Sequence, residues 1–202
     1  ALDGDRVLIF GGQETPDATE ASSRFFELDL GKPDRAWREL EPLPSSGRIL
    51  ATAGMNRGEF FAFSGARLSE GANGSPTRTY LRDTWRYLPN KGWRQGADMP
   101  RAAVAAPSPA IPAGHDFLVV IGGSDGALDA RTDELRDEHP GFPRSILAYH
   151  PITDRWSERG EFPSMPPVTA ATVPNGDGFI LASGEIRPRV RTPKFTSLRA
   201  IT

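Results

Sequence analysis

Four short apolar segments, each ending in a pair of small residues, recur along the chain and constrain its fold more than any other feature. The second small residue of each pair falls at positions 12, 65, 123 and 184, which gives intervals of 53, 58 and 61 residues. Recurrence at such a period indicates one supersecondary unit stacked several times, because a single unit cannot bury its apolar face alone. The segments are residues 7–12, 60–65, 118–123 and 179–184.

The sequence around these segments predicts three further strands in a unit. Residues 24–29, 84–87 and 145–149 alternate as a third strand, and Trp37, Trp93 and Trp156 mark an outer fourth strand that ends before a proline. Small-residue segments at 49–54 and 168–173 predict the innermost strand, since small side chains fit where sheets converge. One tryptophan per unit, always at the same place, indicates packing between units and not ligand stacking.

These units predict an all-β protein and resemble the Kelch family of β-propellers. The resemblance covers nearly the whole chain and departs from the family pattern at Ser64 and Ser183, which replace a glycine. The predicted single domain has blades at about 1–46, 47–101 and 102–165, and an incomplete one at 166–202. The fourth unit has no closing tryptophan strand, so we expect further chain, or a second chain, to complete a ring of six blades.

Composition excludes several classes of function. With 24 basic and 26 acidic residues, the formal net charge of −2 gives no reason to expect nucleic acid or an acidic membrane surface as a partner. The sequence contains no apolar run long enough to span a membrane and no export signal. It also lacks cysteine, and His115, His139 and His150 are too widely spaced for a local metal motif.

Loops between the second and third strands of propeller blades gather on one face, so the residues after the small pairs are expected to converge. We place Gln13, Arg67, Ser124 and Glu185 there as candidate ligand-binding residues. The polar stretches 67–78 and 124–131 are predicted to be long irregular loops. Such loops on a rigid scaffold carry function in many proteins, although decorative insertion is an equally good interpretation.

The fourth unit differs from the others because its small pair is followed by Glu185, Arg187, Arg189 and Arg191 within seven residues. Arginine binds carboxylates through two parallel hydrogen bonds, and a neighbouring glutamate can act as a general base. The cluster therefore predicts an anionic ligand; the alternative is an exposed loop of ion pairs.

Residues 183–192, Ser-Gly-Glu-Ile-Arg-Pro-Arg-Val-Arg-Thr, resemble the Ser-Gly-Glu-x-Lys-Pro-x-x-Arg-Thr signature of the bacterial N-acetylneuraminate epimerases, or sialic acid mutarotases, and of their circularly permuted relatives. The resemblance implies interconversion of the α and β anomers, with Glu185 and Arg191 as the catalytic pair. Arg187 replaces the family's lysine and is expected to help bind the sugar carboxylate. The resemblance implies a periplasmic or secreted location and no metal or organic cofactor. The expected partner chain is a second copy in a homo-oligomer or a second chain that completes the ring.

Two other functions compete with this prediction. A non-catalytic Kelch module would bind a protein or a glycan through the same face, because fold does not dictate function. A copper radical oxidase of the galactose oxidase type is disfavoured, since that chemistry needs a cysteine crosslinked to a tyrosine and histidine ligands.

Overall fold

The structure, a computed structural model, describes residues 1–199 and consists almost entirely of antiparallel β-strands. The last three residues of the predicted fourth unit, 200–202, lie outside the described residues. The first sheet contains β1 (Leu2–Asp3), β2 (Arg6–Phe10), β3 (Phe25–Asp29) and β4 (Trp37–Leu40), paired in that order.

The second and third sheets repeat this order but carry an insertion between their second and third strands. In the second sheet, β5 (Thr52–Asn56) and β6 (Glu59–Phe63) precede a separate hairpin of β7 (Ala66–Glu70) and β8 (Pro76–Tyr80), and β9 (Thr84–Leu88) and β10 (Gly92–Gly96) complete the sheet. In the third, β11 (Ile111–Ala113) and β12 (Phe117–Ile121) precede a helical insertion and then β13 (Ser145–His150) and β14 (Arg155–Glu161). The insertion comprises a 3-10 turn at Asp129–Arg131, helix α1 (Thr132–Leu135) and a 3-10 turn at Arg136–Glu138.

The fourth sheet has three strands and its own inserted hairpin. Strands β15 (Ala171–Asn175) and β16 (Gly178–Ala182) precede the hairpin of β17 (Glu185–Arg187) and β18 (Val190–Arg191), and β19 (Phe195–Arg199) then pairs with β16. The repeating strand order confirms the predicted all-β propeller architecture with four repeats.

The innermost strands start three residues later than the sequence predicts. Strand β5 begins at Thr52 and β15 at Ala171, whereas the predicted segments begin at residues 49 and 168. The reason is the backbone at Leu50 and Thr169, whose φ angles of 57° and 51° lie in the left-handed region and cannot continue a strand. Residues 49–51 and 168–170 therefore belong to the crossover segments that join one sheet to the next.

Aromatic side chains fill the spaces between neighbouring sheets. Trp93 packs against Phe25 of the first sheet at a ring-centroid distance of 5.1 Å, and Trp156 packs against Phe63 of the second at 5.1 Å. These contacts confirm the predicted packing role of two of the three tryptophans. Trp37 instead remains 48% exposed, because each tryptophan packs on the preceding sheet and residues 1–199 contain none before the first.

The two stretches predicted as irregular loops are partly regular. Residues 67–78 lie mostly in the β7–β8 hairpin, whose turn is closed by a hydrogen bond from Gly71 N to Ser75 O of 2.9 Å. A positive φ of 75° at Gly74 allows that turn, which the sequence analysis did not recognise. Residues 124–131 run into the 3-10 turn that starts at Asp129.

Candidate functional site

The candidate site is built on the sharp backbone turn at the end of each second strand. Both residues of every small pair have a positive φ, including the serines: Gly11 68°, Gly12 103°, Ser64 57°, Gly65 95°, Gly122 61°, Gly123 82°, Ser183 56° and Gly184 113°. In the second, third and fourth sheets this conformation redirects the chain toward the crossover segment that precedes the same sheet. In the first sheet Gly12 N donates instead to Arg48 O, in the crossover that follows it.

After the turn, the next residue pairs with that crossover segment. Ala66 bridges Ile49, Ser124 bridges Val104 and Glu185 bridges Val168, each antiparallel. In the fourth sheet the two backbone hydrogen bonds are Glu185 N to Val168 O at 2.9 Å and Val168 N to Glu185 O at 2.8 Å. The inserted segments of these three sheets therefore start on the same face, beside the crossovers.

Two of the four predicted ligand-binding positions differ from this arrangement. Ala66, not Arg67, occupies the place equivalent to Ser124 and Glu185, because the residue directly after the small pair forms the bridge. Arg67 lies one residue further on, exposed in strand β7 and paired with Thr79. Gln13 is exposed as well, and its Nε2 donates to Thr15 O of its own loop at 2.9 Å.

Glu185 and Arg191 face each other across the β17–β18 hairpin. They are directly opposite in the register, which places both side chains on the same side of the hairpin. The Glu185 carboxylate is half-buried and accepts a hydrogen bond of 2.7 Å from Arg189 N across the turn, whereas Arg191 is exposed. Within residues 1–199, neither Glu185 nor Arg191 takes part in an ion pair.

Arg187 and Arg189 point away from this pair and contact the helical insertion of the third sheet. Arg187 Nη2 lies 2.9 Å from Asp137 Oδ1, and its Nη1 donates to the Asp137 backbone oxygen. Arg189 Nη2 lies 2.9 Å from Asp133 Oδ1. Arg187 was expected to be available to a ligand carboxylate, but its guanidinium is already bound by Asp137; Arg191 is the arginine of the cluster left free by these contacts.

Ser124 lies in the wall of a cavity of ≈ 370 Å³ between the third sheet's loops and the β17–β18 turn. Asp125, His139 and Arg144 contribute polar side chains to this cavity, and Pro188 closes it on the hairpin side. Among the predicted ligand-binding residues, Ser124 therefore borders an open cavity next to the β17–β18 hairpin.

A tyrosine from the second sheet reaches the same region. Burial raises the pKa of Tyr80 to about 12, and the neighbouring Asp129 adds to this, whereas Ser124 opposes it. The Tyr80 ring also packs on Gly126, where a Cβ would lie 3.0 Å from the ring. Tyr80 therefore lies next to Ser124 and Asp129, which line the cavity.

The sequence analysis missed the contribution of the helical insertion. Its three aspartates, Asp129, Asp133 and Asp137, are spaced four residues apart, which is a helical period visible in the sequence. His139 follows them, is buried, and accepts a hydrogen bond of 3.1 Å from Gly141 N at Nδ1. This spacing of the aspartates was overlooked because no helix was expected at residues 129–138.

The described part of the chain contains no cluster of three or more histidine, aspartate or glutamate side chains able to hold a metal ion. No helix among residues 1–199 has the length and hydropathy needed to cross a bilayer.

Together, the strand order, the turns and the hairpin define the chain as a run of Kelch-type β-propeller blades. A solved structure described as "Structure of YjhT" aligns with the whole chain at a TM-score of 0.71 and 21% identity, and the chain covers 64% of it. No protein-family model matches the chain.

The curated relatives of the chain include N-acetylneuraminate epimerases. The protein of that name from Haemophilus influenzae (strain PittEE) is 26% identical in an alignment that covers 95% of this chain and 54% of the relative. The one from Escherichia coli O9:H4 (strain HS) is 26% identical in an alignment that covers 95% of this chain and 55% of the relative. The chain therefore spans about half the length of the curated relatives it matches, and it is similar to them over nearly all of its own length.

Proposed function

We propose that this chain carries the catalytic hairpin of a sialic acid mutarotase that interconverts the α and β anomers of N-acetylneuraminate. The observation that carries the proposal is the placement of Glu185 directly opposite Arg191 on an exposed hairpin, with no ion pair to either side chain within residues 1–199. The similarity to proteins named N-acetylneuraminate epimerase supports the choice of sugar.

In this proposal Glu185 is the general base. Its carboxylate takes the proton of the anomeric hydroxyl while the bond between the anomeric carbon and the ring oxygen breaks, with the electron pair of that bond staying on the ring oxygen. The protonated Glu185 then returns its proton, directly or through water, to the ring oxygen. Rotation in the open keto form and reclosure give the other anomer, with the proton transfers reversed. No atom is oxidised or reduced, so the reaction needs no redox cofactor.

Arg191 holds the sugar carboxylate in this proposal. A guanidinium accepts a carboxylate in a planar, two-bond arrangement, which fixes the sugar relative to Glu185 across the narrow hairpin. Because Arg187 and Arg189 are bound to Asp137 and Asp133, the exposed Arg191 is the arginine of the cluster best suited to this role.

The proposal extends to the rest of the ring. Val173 and Phe195 are exposed on the fourth sheet, as are Ile9 and Trp37 on the first, and these apolar side chains suit contact with further blades. We propose that such blades come from the same polypeptide or from a second chain. The periplasmic or secreted location stays a prediction from the family resemblance.

The first prediction concerns Glu185→Gln in the full-length protein. The substitution keeps the shape of the side chain but removes its basicity, so we expect anomer exchange to slow by about 100-fold or more. Exchange is followed by NMR on freshly dissolved N-acetylneuraminate, and sugar binding by chemical-shift perturbation, which should be largely retained. Glu39→Gln is the control, because it makes the same chemical change at a glutamate on the outer strand of the first sheet, where Glu39 forms an ion pair with Arg24.

Exchange at the parent rate in Glu185→Gln contradicts the assignment of the base. A parent protein that binds the sugar but does not accelerate exchange contradicts the proposed enzyme and supports the alternative, a non-catalytic binding module.

A further inference from the structure

The helical insertion of the third sheet, residues 129–138, connects the inserted hairpins of the two neighbouring sheets. On one side, the Tyr80 ring at the end of the β7–β8 hairpin packs on Gly126, just before the insertion, and Asp129 helps to raise the pKa of the Tyr80 hydroxyl. On the other, Asp133 and Asp137 bind Arg189 and Arg187 of the β17–β18 hairpin. The insertion thus lies between the inserted hairpins of the two neighbouring sheets on the candidate site's face.

The β17–β18 hairpin needs such support because it is very small. It has three residues in one strand and two in the other, and an isolated two-stranded hairpin is at best marginally stable. Its base is attached through the bridge between Glu185 and Val168, but its turn projects beyond that bridge. The contacts that locate the turn come from the third sheet.

The third sheet approaches the turn closely. The Arg187 side chain is only 22% exposed and binds both the carboxylate and the backbone oxygen of Asp137. A Cβ at Gly141 would lie 2.9 Å from Ile186 O, so the backbones meet without room for a side chain. Close packing of the two backbones therefore fixes the position of Arg187, in addition to its ion pair with Asp137.

We propose that Asp137 and Arg187 are positioning residues that hold Glu185 and Arg191 in the geometry needed for anomer exchange. This inference rests on the proposed function of the same hairpin. An exposed ion pair contributes little to overall stability, so the effect of this pair is on the position of the hairpin. Misplacement of reacting groups by about 1 Å can cost up to roughly 100-fold in rate, which makes a small displacement measurable.

A direct role of Arg187 in binding the sugar makes the opposite prediction. In that case Arg187→Gln raises KM and leaves kcat unchanged. Loss of Asp137 then either leaves both constants unchanged or lowers KM, because Arg187 is free to bind the sugar more tightly. If the pair positions the hairpin, loss of either partner lowers kcat, because Glu185 is displaced from the sugar.

The experiment compares Asp137→Ala, Arg187→Gln and the double variant in the full-length protein. We expect each single variant to lose about tenfold in kcat/KM, with a fall in kcat, and the double variant to be no worse than either single one. The melting temperature should match the parent, since the Asp137 side chain is 94% exposed. Losses that multiply in the double variant, or a change in KM alone, overturn the proposal.

Asp116→Ala is the matched control. Asp116 forms a similar exposed ion pair with Arg57, at 2.7 Å, in the turns at the opposite end of the second strands. Its loss should leave kcat and KM unchanged.

Hydrogen exchange separates this inference from the proposed function. The backbone amides of residues 186, 187 and 189–191 should exchange faster in Asp137→Ala than in the parent, whether or not the protein is active. If the parent does not accelerate anomer exchange, the proposed function fails and these amides alone decide whether the pair holds the hairpin. If the parent is active but the variant shows parental rates and parental amide exchange, the positioning role is wrong.

Discussion

At the scale of single residues, equivalent positions of the repeat tolerate different side chains because their neighbours differ. Ser64 adopts a positive φ and satisfies its hydroxyl, which donates to Leu81 O at 2.7 Å and accepts from Ala103 N at 2.9 Å. At the equivalent Gly11, a Cβ would lie 2.5 Å from Arg48 O. The sequence repeat shows that a small residue is needed; only the surroundings decide whether serine fits.

We expect Gly184→Ala to destabilise the chain more than Gly12→Ala. Both glycines have a φ above 100°, so alanine is strained at either position. At Gly184 the new Cβ would also lie 2.7 Å from Val168 O, the residue that bridges Glu185, whereas at Gly12 nothing lies within 4 Å. The clash should add about 1–3 kcal/mol, measured by urea unfolding of both variants. Equal losses contradict this account.

At the scale of elements, a buried ion pair joins the first crossover segment to the second sheet. The Arg48 side chain is fully buried, and its Nη1 and Nη2 lie 2.6 and 2.8 Å from the two Asp83 oxygens. Asp83 also accepts a hydrogen bond of 2.7 Å from Trp85 Nε1. The crossover is thus fixed to the segment that enters β9, which places the next inner strand.

Loss of Asp83 should therefore be costly. We expect Asp83→Ala to lower the free energy of unfolding by about 3–5 kcal/mol, because the Arg48 guanidinium stays buried without its partner. Glu39→Ala removes an exposed pair that is also held by two hydrogen bonds, from Arg24 at 2.8 and 2.9 Å, and should cost at most about 1 kcal/mol. Urea unfolding of the two variants gives the comparison, and a cost for Asp83→Ala as small as that for Glu39→Ala argues against the buried pair.

At the scale of the whole molecule, the sheets are held together by aromatic contacts between neighbours. Phe25, Phe60 and Trp93 join the first two sheets, with a Phe25–Phe60 centroid distance of 4.7 Å. Trp156 joins the third sheet to the second, and its Nε1 donates hydrogen bonds to Thr84 Oγ1 and Ala97 O, both at 3.1 Å. The second and third sheets therefore depend on the sheet before them for the burial of Trp93 and Trp156.

We expect Trp156→Phe to destabilise the 202-residue chain and Trp37→Phe to leave it nearly unchanged. The first substitution removes a half-buried donor and leaves Ala97 O and Thr84 Oγ1 with one partner fewer, at a cost of about 1–3 kcal/mol. Trp37 is 48% exposed, so its replacement should change stability by no more than about 0.5 kcal/mol. Thermal unfolding of both variants tests this, and equal melting temperatures contradict it.

The repeating order of the strands within each sheet was predictable because the signals for it are local. Apolar runs, small pairs and tryptophans recur at nearly regular intervals, and each reports on a few neighbouring residues. The start of β5 was predicted three residues early because a left-handed φ at Leu50 is set by the crossover and has no side-chain signature. The β7–β8 hairpin was missed because its polar strands carry no apolar alternation.

The sequence by itself determined that this chain is a series of propeller blades and that Glu185 and Arg191 belong to one short cluster. Tertiary structure alone decided which arginine of that cluster is free of an ion pair. Asp137 and Asp133 lie about 50 residues before the arginines in the sequence. They reach Arg187 and Arg189 only because the third sheet packs beside the fourth. Ion pairs between neighbouring sheets depend on how the sheets pack, and no local pattern of residues encodes them.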